Sequence, residues 1–113
     1  MKIENTVAQM RKGVLEFCIL SLLDHKDLYS SEILFALKQN KMLVVEGTLY
    51  PLLNRLKNDH FLTYRWEESP SGPPRKYYTI TSEGKKFLIA LKTAWTELNQ
   101  SVNKITQTKK NTK

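Results

Sequence analysis

The chain has 113 residues, below the roughly 150 of a comfortable single domain, so it holds one core and excludes an added catalytic domain. A hydrophobic fraction of 41% and an aromatic fraction of 10% exclude an intrinsically disordered chain and supply a modest core. Eighteen Lys and Arg against eleven Asp and Glu leave +7, and the excess is uneven. Residues 1–46 carry six basic and six acidic side chains, 47–103 carry eight and five, and 104–113 carry four Lys and no acid, the pattern of a polyanion-binding surface followed by a basic tail.

The longest strongly apolar run, 14–23, contains Glu16 and Ser21 and is about half the ~20 residues of a bilayer span. No membrane association is expected. No apolar stretch with a small-residue cleavage site follows Lys2, which reads as a cytoplasmic protein. The single cysteine, Cys18, lies within the apolar run and reads as a small buried hydrophobe rather than a reactive thiol.

From Val7 to Leu23 the apolar residues follow a helical period, and from Val14 onward they cover nearly the whole circumference. In so short a chain, one face of that helix needs a partner subunit. A polar connector over 24–29 leads to Ser30, a candidate N-cap for a second helix reaching about Asn40, with Glu32 in its first turn. The third helix must begin near residues 46–48, because Pro51 lacks an N–H. Leu49, Leu52, Leu53 and Leu56 then point inward, Pro51, Asn54 and Asn58 lie opposite, and Thr48, Tyr50 and Arg55 occupy the flanks.

Residues 61–68 alternate as a strand, with Leu62, Tyr64 and Trp66 on one face. Three prolines and a glycine over 69–74 read as a turn, and 75–80 as the returning strand of a hairpin with Arg75 and Lys76 beside its tip. Thr81 caps a last helix running to about Ile105. Leu88, Trp95 and Val102 are spaced by seven, as are Leu91, Leu98 and Ile105, an a/d register that implies a seam against another helix. The expected fold class is mainly α with a small β-hairpin (α+β): a winged helix-turn-helix over 1–80, a C-terminal dimerisation helix over 81–106, and a disordered basic tail over 107–113.

The chemistry follows from shape, since a helix fits the major groove of DNA and a hairpin tip reaches the adjacent backbone or minor groove. The run Gly47-Thr48-Leu49-Tyr50-Pro51-Leu52-Leu53-Asn54-Arg55-Leu56, then Trp66-Glu67-Glu68-Ser69, Gly72-Pro73-Pro74-Arg75-Lys76-Tyr77-Tyr78 and Ile80-Thr81-Ser82-Glu83-Gly84, resembles the PadR family of bacterial transcriptional regulators. The length is similar to its short-tailed branch, which has one C-terminal helix and includes the lactococcal multidrug-resistance repressor. The resemblance implies a homodimeric repressor on an inverted-repeat operator. The chain departs from the family's frequent Asp-Gly after the recognition helix, having Asp59-His60. Either His60 takes a left-handed position or the helix end shifts by a residue.

Asn54 and Arg55 are candidate base readers, since Asn pairs bidentately with adenine and Arg with guanine. The alternative is a solvated helix face. Thr48 and Tyr50 can donate to phosphates, or Tyr50 can pack its ring over the second helix. Arg75 and Lys76 suit phosphate or minor-groove contacts, against a plain solubilising role. Tyr77 and Tyr78 point to opposite faces, and Tyr78 reads as core. Leu88, Leu91, Trp95, Leu98, Val102 and Ile105 form the expected dimer interface. Trp95 is either a large interface side chain or, duplicated by symmetry, one wall of a slot for a small planar aromatic effector; the resemblance implies such an aromatic-lined site. His25 and His60 lie far apart without metal-ligand spacing, Glu67 and Glu68 face apart, and no phosphate loop or nucleophile elbow occurs. A non-enzyme with no cofactor and no metal is expected, its partner double-stranded DNA. The alternative is a dimeric winged-helix adaptor without sequence-specific DNA binding, which the charge split disfavours.

Overall fold

In the computed structural model, which describes residues 2–107, four helices and a small sheet follow in the order α1 Ile3–His25, β1 Leu28–Tyr29, α2 Ser30–Gln39, α3 Glu46–Asn58, β2 Leu62–Ser69, β3 Gly72–Ile80 and α4 Ser82–Gln107. The fold is mainly helical with a small antiparallel sheet, a winged helix-turn-helix plus a C-terminal helix. The core is one aliphatic cluster. Ile19, Leu20 and Leu23 of α1 meet Ile33 and Leu37 of α2, Leu49, Leu53 and Leu56 of α3, and Leu62, Tyr78 and Ile80 of the sheet. Each side chain sits on the face its helical or strand period assigns.

Helices α2 and α3 both end in Schellman motifs built on a non-glycine left-handed residue. At α2 the residue is Lys41 (φ 63°), with Lys41 N–H donating to Lys38 at 3.0 Å and Met42 N–H to Leu37 at 2.8 Å. At α3 it is His60 (φ 69°), with His60 N–H donating to Lys57 and Phe61 N–H to Leu56, both at 3.0 Å. His60 therefore takes the place where glycine is easiest, and the helix end does not shift. The start of α3 falls where the proline places it, but Pro51 is its sixth residue, beyond the first turn. The bond that the Gly47 carbonyl would accept from residue 51 cannot form.

The sheet order is β1-β3-β2, all antiparallel. Three details differ from the sequence reading. First, the connector after α1 contains a two-residue strand, Leu28 opposite Tyr78 and Tyr29 opposite Tyr77. Second, the hairpin ladder extends through Pro73 and Pro74 to pair Ser69 with Gly72, leaving only Pro70 and Ser71 at the tip. The two prolines are tolerated because they lie beside an irregularity between Glu67 and Ser69, on a stretch of β3 that β1 does not reach. Third, α2 begins at Ser30, so the residue before it, Tyr29, is the cap; its N–H donates to Glu32 Oε1 at 3.2 Å. Thr81 caps α4, its hydroxyl accepting from Gly84 N–H at 2.9 Å and donating to the His60 carbonyl at 2.7 Å.

The first turns of α4 dock by close approach. A Cβ on Gly84 would collide with the Phe61 carbonyl and lie 2.7 Å from Ile80, so only glycine lets the helix come this near. The rings of Phe61 and Phe87 stack at 4.2 Å. Beyond Leu91 the helix projects from the body, and every described residue over 92–107 is exposed. The long axis is accordingly 63 Å and the radius of gyration 16.9 Å, against ~13 Å for a compact chain of this length. Gln107 belongs to this helix rather than to a disordered tail; the rest of the expected tail lies outside the described residues. No helix among the described residues is long and apolar enough to cross a membrane.

Candidate nucleic-acid interface

Once Leu49, Leu53 and Leu56 are buried, the rest of α3 is assigned by its rotation of about 100° per residue. Gly47, Pro51, Asn54 and Asn58 form the outward strip, all exposed. Tyr50 and Lys57, seven residues apart, share the flank toward the hairpin, where Lys57 Nζ lies 5.7 Å from the centre of the Tyr64 ring. Thr48 and Arg55, also seven apart, share the opposite flank toward α1. Thr48 there borders a hollow with Leu15 and Arg11, and Arg55 donates to the Glu16 carboxylate. Asn54 and Arg55 thus lie on different faces of α3. Asn54 faces outward, and Arg55 is engaged across the helix boundary. Glu16 raises the Arg55 pKa above its ordinary value through the hydrogen bond and its charge, outweighing slight desolvation.

The wing is organised by its register. Trp66 opposes Lys76 and Tyr64 opposes Tyr78, so these four side chains share one face. Lys76 Nζ lies 4.3 Å from the Tyr64 ring centre, 5.5 Å from Trp66 and 5.7 Å from Tyr78. On the other face Arg75 sits 4.5 Å over the Tyr29 ring, and Tyr29 meets Tyr77 edge-on at 5.2 Å. The two cations therefore leave opposite faces of the strand, each resting on aromatic carbon that limits its rotamers. Arg65, three rungs from the tip, is committed to Asp27 and Glu67.

Between α2, α3 and the wing lies an open cleft of about 590 Å³. Tyr50, Arg75 and Lys76 border it together with Ser30, Ser31 and Trp66, and no carboxylate is among its lining residues. The Tyr50 hydroxyl pairs with Ser30 Oγ at 2.9 Å, so the tyrosine reaches over the start of α2 while its ring stays exposed. The structure thus joins Tyr50, Arg75 and Lys76 around one basic cleft, leaves Asn54 on the adjoining outward strip, and turns Thr48 and Arg55 toward α1. Sequence reasoning missed Tyr29, Ser30 and Lys57. The seven-residue spacing from Tyr50 was a usable signal for Lys57, whereas Tyr29 enters through the unforeseen strand β1 and Ser30 follows it at the start of α2.

Tyr78 is buried, and burial, helped by Tyr50 and Tyr64, pushes its phenol above the ordinary range. It is a neutral core residue. Burial likewise pushes the Cys18 thiol up, away from the reactive thiolate. Among the described residues no group of three or more His, Cys, Asp or Glu is placed to hold a metal ion.

Along α4, Leu88 is only 4% exposed and Leu91 is half-buried, both packed into the chain's own core. The solvent-facing part of the heptad stripe starts at Trp95, 40% exposed, and continues through Leu98, Val102 and Ile105. The Trp95 indole is 6.4 Å from the Phe17 ring of α1, tilted by 43°.

A trihelical core, a basic wing and an outward polar strip on the third helix define a winged helix-turn-helix nucleic-acid-binding protein. Residues 19–90 match the transcriptional regulator PadR-like family, and the chain belongs to that family. It is similar to the solved structure of a PadR-like transcription factor from Bacteroides fragilis, with 55% identity, a TM-score of 0.74, and coverage of 89% of this chain and 98% of that one. A PadR family transcriptional regulator from Eggerthella lenta is 31% identical, with a TM-score of 0.86 over 94% and 93% of the two chains. A PadR-like transcriptional regulator from Bacillus cereus is 37% identical, with a TM-score of 0.77 over 88% and 97%. The protein is a DNA-binding transcriptional regulator and not an enzyme.

Proposed function

We propose that the chain is a repressor of the short-tailed PadR branch that binds an inverted-repeat operator as a homodimer. In this reading residues 1–80 form the DNA-binding unit and 81–106 the helix that joins two copies. Asn54, from the outward strip, reads base edges, with Arg55 able to join it on leaving Glu16. Thr48 and Tyr50 meet the backbone near the start of α3, and Arg75 and Lys76 meet phosphates or the minor groove from the wing. The observation that carries the reading is the cleft free of carboxylates, with Arg75 and Lys76 held beside the recognition helix. An adaptor would need neither the cations nor their aromatic supports.

The dimer is supported by the stripe of Trp95, Leu98 and Val102, all exposed on the projecting half of α4, where a helix seam from a second copy would cover them. With Leu88 and Leu91 largely covered within the chain, the interface reduces to the distal heptads. A planar aromatic effector would lie against Trp95 and its copy, with Phe17 as a further wall. Filling that slot would alter the spacing of the two recognition helices and oppose operator binding.

Footprinting on DNA upstream of the protein's own gene is the direct test. The expected result is protection of two half-sites about 34 Å apart or a multiple of that, with affinity falling steeply as salt rises. Binding that prefers no sequence and ignores salt would refute the reading. For the effector, planar aromatic dyes should quench Trp95 in a Trp66→Phe background and weaken operator binding in parallel. Quenching without loss of DNA binding would remove the regulatory role.

A further inference from the structure

We propose that Glu16, a residue of α1 outside the DNA-contacting surface, sets how much of Arg55 is available to DNA by competing with it for the same guanidinium. The proposal rests on the DNA-binding reading above. Arg55 Nη2 donates to Glu16 Oε2 across the boundary between α3 and α1. The two partners are unequally held. The Glu16 side chain is 26% exposed against 61% for Arg55, and Leu15 beside it and Ile19 and Leu20, three and four residues on, are buried. The helix under Glu16 is thus held by its packing and its carboxylate is the more covered partner, whereas the more exposed arginine can swing away.

The fork of N–H donors that meets a carboxylate is the one that meets a guanine edge or a phosphate, so one guanidinium cannot satisfy both in full. When Arg55 turns to DNA, Glu16 is left as a partly covered, unpaired carboxylate facing a polyanion. Both consequences oppose binding, and both scale with the charge on Glu16. The same turn of α1 carries Phe17, which meets Trp95 of α4, so the competing anion sits on the helix that also supports the last helix.

Glu16→Gln keeps the side-chain length and an acceptor oxygen but removes the charge. It should tighten binding to the footprinted DNA fragment about threefold to fivefold. The upper figure equals the ~1 kcal/mol of an exposed ion pair at 1.4 kcal/mol per decade. Removing any negative charge near DNA strengthens binding slightly, so the decisive comparison is with Arg55→Ala. In that background Glu16→Gln should give less than half its gain, on the fragment and on a scrambled duplex of equal length. Glu16→Ala is the second variant and should move in the same direction, with thermal melting confirming that each protein is folded. Unchanged or weaker binding by a folded Glu16 variant overturns the proposal, as does an equal gain with and without Arg55. Failure of the unmodified protein to bind any DNA at low salt is a separate result, and it removes the DNA-binding reading and this proposal together.

Discussion

The body of the molecule and the distal half of α4 obey different rules. Within the body the buried residues are hydrophobic, no polar or charged residue is fully buried, and among the described residues no buried side-chain nitrogen or oxygen lacks a hydrogen bond. The distal half of α4 has a regular apolar stripe that, beyond the contact of Trp95 with Phe17, its own chain leaves exposed. A solvent-exposed helix has little reason to spend Trp, Leu and Val on water. Self-sufficiency in one region and an exposed apolar stripe in the other separate what stabilises the monomer from what, in the proposed dimer, would serve assembly.

That division can be broken most severely by placing two charges on the stripe. Leu98→Glu with Val102→Glu should cost upwards of ~3 kcal/mol of association free energy, since each carboxylate would enter a helix seam unpaired. Sedimentation at micromolar concentration should then show monomers whose circular dichroism still reports a folded body; a double variant that stays dimeric would place the interface elsewhere. Next in size, Gly84→Ala forces a methyl group into the Phe61 carbonyl and should lower unfolding stability by about 2–3 kcal/mol, read as a fall in melting temperature. If the variant melts like the parent, α4 does not need its close approach. Smaller again, Lys76→Ala should reduce the slope of log affinity against log salt by about one unit, with little change in sequence preference. A preserved slope would mean that the lysine belongs to its aromatic neighbours rather than to phosphate. The least effect is expected from His60→Gly, which relieves a left-handed side chain but adds freedom to the unfolded chain, leaving stability within about 1 kcal/mol. A larger loss would show that the imidazole makes a contact beyond its backbone role.

The body was largely legible because its signals are local. Leucine spacing in α3, alternation in β2, Thr81 as a cap and the inward turn of Tyr78 each depend on a few neighbouring residues and a fixed period. Strand β1 was not legible, since two residues have no period and Leu28–Tyr29 is a strand only because β3 has an edge to pair. The prolines at 73 and 74 misled for the converse reason. Proline marks a turn in isolation, yet a ladder irregularity admits it. The heptad register was visible, but spacing by seven cannot tell which positions the same chain covers. Leu88 and Leu91 turned inward to their own body, and Trp95 onward did not. The place of Arg75 and Lys76 beside the hairpin tip was legible from position, but their opposite faces and aromatic supports needed the register. The Arg55–Glu16 pair joins residues 39 apart in sequence, and no local pattern announces it.

The projecting part of α4 also has a mechanical meaning. Residues 92–107 extend the helix by about 24 Å at 1.5 Å per residue, beyond a root where Gly84 meets Phe61 and where Phe61 and Phe87 stack at 4.2 Å, with Trp95 still against Phe17. A tilt of 10° at that root, about 30–35 Å from Gln107 along the helix, moves the tip sideways by about 5–6 Å, and two-fold symmetry would double the relative displacement in a dimer. The fulcrum is therefore the most leveraged point of the molecule. A sub-ångström change in packing beneath three residues at the base of the helix becomes a shift of several ångströms at its far end. Substitutions at Phe61, Gly84 or Phe87 would retune the geometry of any assembly built on the helix without altering a single residue of the surface that assembles.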